Sequence, residues 1–239
     1  GIANADFTPI GTPVTSYDWS TTTLAGVALR DGVDYAIYAH AADKASNDQL
    51  VEGSMAAFTF VFDTSTPVGY LVQPSSGQVY LNLTTISGTA LDPAGANPNN
   101  KFSGVQRVEL QIYEPHNDSC WNNAGSAFNV ACPSFFTVTG VNPWTYSNGA
   151  LTSALTSGKP YTITARAVDF AGNVQSVYTV PLSSRTFSID KVAPSAAYTK
   201  PVQGTSYRST QLNGGSALTG TAADSDASLY PDNDALQSV

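Results

Sequence analysis

Charge is what this chain has least of. Only 12% of its 239 residues are Asp, Glu, Lys or Arg, about half the usual share of a globular domain. Ten are basic and 18 acidic, for a net charge of −8. Nucleic acid needs clustered Lys and Arg, so it is excluded as a partner. Acidity without basic patches argues equally against an anionic membrane surface, and it suits a divalent cation. Two histidines stand in the whole chain. There is no His pair at metal spacing, no Gly-x-Ser-x-Gly and no phosphate-cradling glycine loop, so no enzyme is expected. No run approaches the 18 apolar residues of a membrane span, and no charged-then-apolar leader opens the chain. Helical periodicity is absent as well. Thr, Ser, Asn, Gly and Tyr stand in place of charge, a neutral polar composition that fits exported β-rich proteins.

What the chain does contain is the same text twice. Gly32-Val33-Asp34-Tyr35-Ala36-Ile37-Tyr38-Ala39 returns as Gly158-Lys159-Pro160-Tyr161-Thr162-Ile163-Thr164-Ala165. A turn follows each copy, Asp43-Lys44-Ala45-Ser46-Asn47 or Asp169-Phe170-Ala171-Gly172-Asn173. Phe60-Val61-Phe62-Asp63 then matches Phe187-Ser188-Ile189-Asp190, with a proline four residues on, Pro67 or Pro194. Beyond the prolines, Pro74, Gly77 and Tyr80 match Pro201, Gly204 and Tyr207, and Gly88-Thr89-Ala90 matches Gly220-Thr221-Ala222. The offset runs from 126 to 132 residues (Gly32 to Gly158, Gly88 to Gly220). Self-similarity at a fixed period signals a tandem array. Three segments follow: 1–63 as the C-terminal part of one unit, 64–190 as a complete unit, and 191–239 as the N-terminal part of the next. The last residues align with the middle of a strand, so the chain reads as a window on a longer protein, or as a subunit whose halves are completed by neighbouring chains.

Each unit reads as all-β. Tyr161, Ile163, Ala165 and Ala167 alternate with Thr162, Thr164, Arg166 and Val168, the period of a half-buried strand, and Tyr35, Ile37, Ala39 and Ala41 repeat it. Further strand candidates are 69–73, 79–81, 84–90, 105–113, 135–139, 151–155, 177–182 and 185–190, divided by Pro, Gly and Asn turns. Seven or so short strands per unit indicate a Greek-key β-sandwich, with Tyr161 at the position of a tyrosine corner. Cys120 and Cys132 close a small loop and pair as the disulfide of an exported chain; two unrelated thiols are the other reading.

The pattern Tyr-Thr-Ile-Thr-Ala-Arg-Ala-Val-Asp-x-Ala-Gly-Asn at 161–173, followed by Phe-Ser-Ile-Asp-x-x-Ala-Pro at 187–194, resembles the bacterial Ig-like tandem repeats of giant surface adhesins. Ile86-Ser87-Gly88-Thr89-Ala90-Leu91-Asp92 with Gly104-Val105 is similar to a second segment of that family. The resemblance spans nearly the whole chain. Departures are Ser46 where the family has Gly, Lys191-Val192 in the second linker, and a cysteine-bearing insertion at 114–134. It implies tandem Ig-like sandwiches, one complete and two partial, outside the cell or on its surface. It also implies calcium held between modules.

In such a sandwich the loops after 84–90 and 161–169 share one end, where the preceding unit enters. Asp63, Asp92 and Asp169 should therefore meet, with Asn173 able to add an amide oxygen. Hard oxygen donors of this kind suit Ca²⁺. Alternatively each Asp caps its own turn, as Asp does before Ala-Gly-Asn. A second site would use Asp190 with Asp224 or Asp226. Trp144 matches Trp19 and belongs to the core, whereas Trp121, on the insertion, is the candidate ligand contact. His40 takes the outward place of Arg166 and reads as solvated. Asn82-Leu83-Thr84 and Asn117-Asp118-Ser119 are glycosylation sequons.

The functional expectation is a structural segment of a long extracellular protein, acting as stalk, fibre, filament or adhesive array. Its partners would be neighbouring Ig-like repeats of the same or adjacent chains, and a cell-surface glycan or protein. The alternative is a ligand- or carbohydrate-binding module, or a non-catalytic accessory domain of a secreted enzyme.

Overall fold

The computed structural model describes residues 29–39, 41, 43, 45, 47, 56–93, 101–212 and 218–224. The chain divides into two compact units, Gly1–Ser65 with Ala94–Ser103, and Thr66–Pro93 with Gly104–Val239. Trp19, His40 and Asp226 lie outside the described residues.

In the first unit, β1 (Val33–Ala39) pairs antiparallel with β2 (Ala56–Phe62). Tyr35 sits opposite Phe60, their rings stacked with centroids 5.6 Å apart. The Tyr35 hydroxyl accepts the backbone N–H of Arg30 at 2.8 Å, which ties the strand start to the chain before it. The expected inward alternation is only partly realised, because Ile37 is 41% exposed. Among the described residues β1 and β2 form a two-stranded sheet, and alternation selects a buried face only where a second layer covers it.

Among the described residues the second unit holds three sheets, two of which enclose its core. β3 (Val68–Gln73), β4 (Val79–Tyr80), β5 (Ile86–Leu91) and β6 (Val105–Glu114) come first along the chain. The hairpin β7 (Ser119–Asn122) and β8 (Ala127–Val130) follows, then β9 (Phe136–Thr137), β10 (Thr139–Gly140) and β11 (Trp144–Tyr146). A helical turn, α1 (Gly149–Ala154), leads into β12 (Lys159–Asp169) and β13 (Ser184–Ile189). The four-stranded sheet runs β10-β11-β5-β3, and the seven-stranded one β4-β13-β12-β6-β7-β8, with β9 also on β6. Every pairing among these strands is antiparallel except β4 with β13.

The core lies between the sheets and is built by alternation. Val108, Leu110 and Ile112 of β6 and Tyr161, Ile163, Ala165 and Ala167 of β12 are buried, as are Ile86 and Ala90 of β5 and Leu71 of β3. Trp144 is fully buried, as expected, and donates its indole N–H to the Thr89 carbonyl at 3.0 Å. Its ring lies on Gly88, where an added Cβ would come within 2.4 Å of the indole and 1.8 Å of the Tyr70 carbonyl oxygen. The glycine is thus fixed by the close approach of a ring and a neighbouring strand.

The Tyr161 hydroxyl accepts the Thr156 N–H at 2.9 Å, five residues upstream, which is the expected corner. The same device recurs at Tyr80, from Ser75 N–H, and at Tyr207, from Val202 N–H, both at 2.8 Å.

Matching text folds to matching register. Tyr35 faces Phe60 as Tyr161 faces Phe187. Farther along, β14 (Ser195–Lys200) pairs antiparallel with β15 (Thr219–Ala223), after the short α2 (Ser209–Leu212). Ala197 faces Thr221 and Tyr198 faces Gly220, as Tyr70 faces Thr89 and Leu71 faces Gly88. The register slips at the next step in both pairs, between Leu71 and Gln73 and between Tyr198 and Lys200. Gly77 and Gly204 share a positive φ, 74° and 77°.

Two strand expectations are corrected. Residues 151–155 belong mostly to α1: Asn148 caps it by accepting the N–H groups of Ala150 and Leu151, a helix start that strand counting overlooks. Leu151 and Leu155, four apart, are both buried. Residues 177–182 form no strand, for Val180 and Leu182 are exposed and Pro181 has no N–H to lend a ladder. Arg185 braces this stretch against the end of β3 instead, donating to the backbone oxygens of Pro181, Val72 and Pro74.

The insertion at 114–134 contains the β7–β8 hairpin, which extends the larger sheet. Cys120 and Cys132 form a disulfide, Cα atoms 5.3 Å apart, so the reading as unrelated thiols falls away. Replacing both cysteines with Ala should cost about 2–3 kcal/mol, the loop-closure value for so short a span, read as a lowered denaturation midpoint. Gly88→Ala should also lower the midpoint, since the Cβ meets the Tyr70 carbonyl oxygen as well as the indole; an unchanged midpoint would show that both the neighbouring strand and the Trp144 ring can yield.

Candidate metal centre

Asp63, Asp92 and Asp169 are buried, with 7%, 3% and 0% of their surface exposed. Each ends or follows a strand: Asp63 succeeds β2, Asp92 succeeds β5 and Asp169 closes β12. Each offers an oxygen, and these oxygens lie within 4.8 Å of one another. Among the described residues, this buried aspartate triad is the one group of three that could hold a metal ion.

Backbone amides orient the carboxylates. Asp63 Oδ1 accepts from Ser65 N–H at 3.0 Å and Oδ2 from Ser103 N–H at 2.7 Å. Asp92 Oδ2 accepts from Gly104 N–H, also at 2.7 Å. Gly104 has φ 86°, and its carbonyl accepts from Phe170 N–H, one residue past Asp169. Three negative charges so close repel strongly in a medium drier than water. A divalent ion reverses the sign of that interaction.

Asn173 holds Asp169 on both sides. Its backbone N–H donates to Oδ1 at 2.7 Å and its amide Nδ2 to Oδ2 at 2.8 Å. The expected amide-oxygen ligand is thus seen presenting its nitrogen to Asp169, as a residue that positions the carboxylate. The capping reading describes this bond set correctly, and it coexists with the triad.

The matching loop in the first unit has the same bonds. Asp43 Oδ1 accepts the N–H groups of Ala45 and Asn47, and Oδ2 accepts Asn47 Nδ2 at 2.7 Å. The Asn47 side chain first, then its backbone N–H, hold the Asp43 carboxyl below the usual carboxylate range. Asp190 Oδ1 accepts from Val192 N–H at 2.7 Å and from the Ser157 hydroxyl at 3.2 Å, a capping geometry. Neither Asp190 nor Asp224 joins a group of three metal-binding side chains among the described residues.

Trp121 is corrected as a ligand contact. It is fully buried, packed against Phe128, with its indole N–H donating to the Tyr146 hydroxyl at 3.0 Å. No ring face is left for a sugar, because the insertion folds its aromatic residue inward as part of the core.

A charged cluster that sequence reasoning misses lies on the outer face of the larger sheet. Glu109 accepts from Arg107 Nε at 2.7 Å and from Arg166 Nε at 2.6 Å, and Arg166 stacks 3.8 Å from the centroid of Phe135. Burial pushes the Glu109 carboxyl up, but hydrogen bonds from Arg107 and Arg166 outweigh it and hold the group low. The cross-strand pairing of Glu109 with Arg166 is the signal that could have found it.

No family model matches the chain, and no curated protein matches it. Among solved structures, the crystal structure of CopC from Methylosinus trichosporium OB3b is similar at 12% identity and a TM-score of 0.29, over 51% of this chain and 93% of that chain. Likeness at that level does not bear on what this protein does.

The Asp43 loop is a direct check on these bonds. Its folded-state pKa is lowered, so the loop bonds are intact above the ordinary carboxylate range and are lost as pH falls through the lowered value. Asn47→Ala should raise the Asp43 titration midpoint toward that of an ordinary Asp, followed by NMR of its carboxyl carbon. An unmoved midpoint would mean that the Asn47 amide does not hold it.

Proposed function

We propose that this chain is a run of Ig-like sandwich modules from an extracellular surface protein, with a stalk, fibre or adhesive role, and that Ca²⁺ is the ion of the aspartate triad. The observation that carries the modular reading is the recurrence of one pairing register, Tyr35 with Phe60 and Tyr161 with Phe187, from matching text. Recurrent registers at a fixed period favour an array over a set of unrelated folds. The disulfide supports an oxidising compartment. No helix among the described residues is long and apolar enough to cross a membrane.

Calcium is favoured by donor chemistry. Three carboxylates with no His or Cys among them form a hard oxygen set, which suits Ca²⁺ at about 2.3–2.6 Å, whereas structural zinc favours Cys and His. Backbone carbonyls and water would complete its coordination. In a string of modules, such an ion removes freedom from the residues around Asp63 and turns a flexible string into a rod. Neighbouring repeats are then the first partners, with a surface glycan or protein as target of the array.

Calorimetry of the whole chain with Ca²⁺ should give one strong site. Asp92→Asn and Asp169→Asn should each weaken it by at least tenfold, about 1.4 kcal/mol. Saturation at about 100 times Kd should raise stability by about 2.7 kcal/mol. Small-angle scattering should show a shorter mean end-to-end dimension after chelation. Absence of binding removes the calcium reading; binding with unchanged dimensions removes the rod.

A further inference from the structure

Three reactive groups outside the aspartate triad converge at the far end of the larger sheet. Glu114 closes β6, Lys159 opens β12, and Asn117 lies in the turn between β6 and β7. The Glu114 side chain is buried, only 5% exposed, while the Lys159 side chain is 28% exposed. Lys159 Nζ donates to Glu114 Oε1 at 2.5 Å. Asn117 Nδ2 reaches the same oxygen at 3.2 Å and Oε2 at 3.1 Å. An amine and a carboxamide thus stand side by side on one carboxylate, and neither is used by the triad.

The arrangement matches what amide exchange requires. A lysine amine attacks a carboxamide carbon only after losing a proton, and the tetrahedral intermediate collapses only when the departing nitrogen gains one. One carboxylate touching both nitrogens serves as base and then as acid. Its position between them also supplies proximity, the larger part of the barrier for joining two weak partners. A Lys–Glu pair with only its carboxylate buried is an indifferent source of stability. The addition of Asn117 on the same carboxylate is what a salt bridge does not require.

We propose that Lys159 and Asn117 become joined by an isopeptide bond, with Glu114 as the proton-transfer group. Glu114 takes a proton from the Lys159 ammonium, and Nζ attacks Asn117 Cγ while the carboxyl group hydrogen-bonds the developing oxyanion. Nζ then yields its second proton through Glu114 to Nδ2, the Cγ–Nδ2 bond breaks, and ammonia leaves. One N–C bond forms and one breaks, with no oxidant or cofactor. The cross-link would tie the turn after β6 to the start of β12, independently of the Cys120–Cys132 disulfide.

The test is the intact mass of the folded, reduced 239-residue chain, followed by peptide mapping. The expected result is a chain lighter than its sequence by one ammonia, with a branched peptide joining the Lys159 and Asn117 segments. Asn117→Ala and Glu114→Gln should each restore the mass calculated for that variant. A succinimide at an asparagine loses the same mass but gives no branched peptide, and that result overturns the proposal. So does a wild-type chain of full mass. The wild-type measurement is decisive by itself, so a variant that fails to fold does not alter the outcome.

Discussion

The antiparallel pairing of β6 with β12 is the constraint on which the sandwich depends. Opposite residues in it include Ile112 with Ile163, Leu110 with Ala165 and Val108 with Ala167, and all six are buried. A shift by one residue would turn that whole set to the solvent and bring Glu109, Gln111, Thr162 and Arg166 inward. The hydrophobic pattern therefore fixes the register, and the register fixes where the two strands end. β12 ends at Asp169, whose neighbour Phe170 bonds the Gly104 carbonyl just ahead of β6. At the other end the same pair leaves Glu114 and Lys159 on one hydrogen bond. One ladder thus places Asp169 of the triad at one end and the Glu114–Lys159 pair at the other.

The aspartates show how a turn can serve two purposes. Asp169 is tied to Asn173 by backbone and side chain, and the equivalent Asp43 is tied to Asn47 in the same way. The Asp–Asn hook is therefore the common element of the repeat, sufficient to shape the loop on its own. Burial separates the two copies: Asp169 is enclosed with Asp63 and Asp92, whereas Asp43 is exposed. Capping explains the conformation of each loop. It does not explain why three like charges should be buried together, and a bound cation would.

Much of this is legible in the sequence because period and turn chemistry are local signals. Alternation along 161–167 locates β12 to within two residues, and the Gly158-x-x-Tyr161 spacing points to the tyrosine corner. The two cysteines are near enough to pair by spacing alone. Sequence reasoning fails where a local signal is weak or ambiguous. The single turn of α1 is too short to show helical periodicity, and its one clue is Asn148 ahead of it. Residues 177–182 carry apolar side chains without a sheet to join. Trp121 misleads because an insertion suggests a surface, whereas this one carries its tryptophan into the core. The Glu114, Lys159 and Asn117 cluster is not legible at all: Lys159 is 45 residues from Glu114, and only strand register brings them together.

The pairing of β4 with β13 sets the mechanical character of the sandwich. These are the outer stretches of the module, one near its beginning and the other at its close, and they run parallel. The Thr186 carbonyl accepts from Gly77 N–H, Ser188 N–H donates to the Gln78 carbonyl, and Asp190 N–H to that of Tyr80. Tension applied through the two ends of the module would draw these strands past each other lengthwise. Their bonds would then bear the load together, in shear, instead of opening one after another like a zipper. Load applied lengthwise to β4 and β13 would thus meet all of these bonds at once.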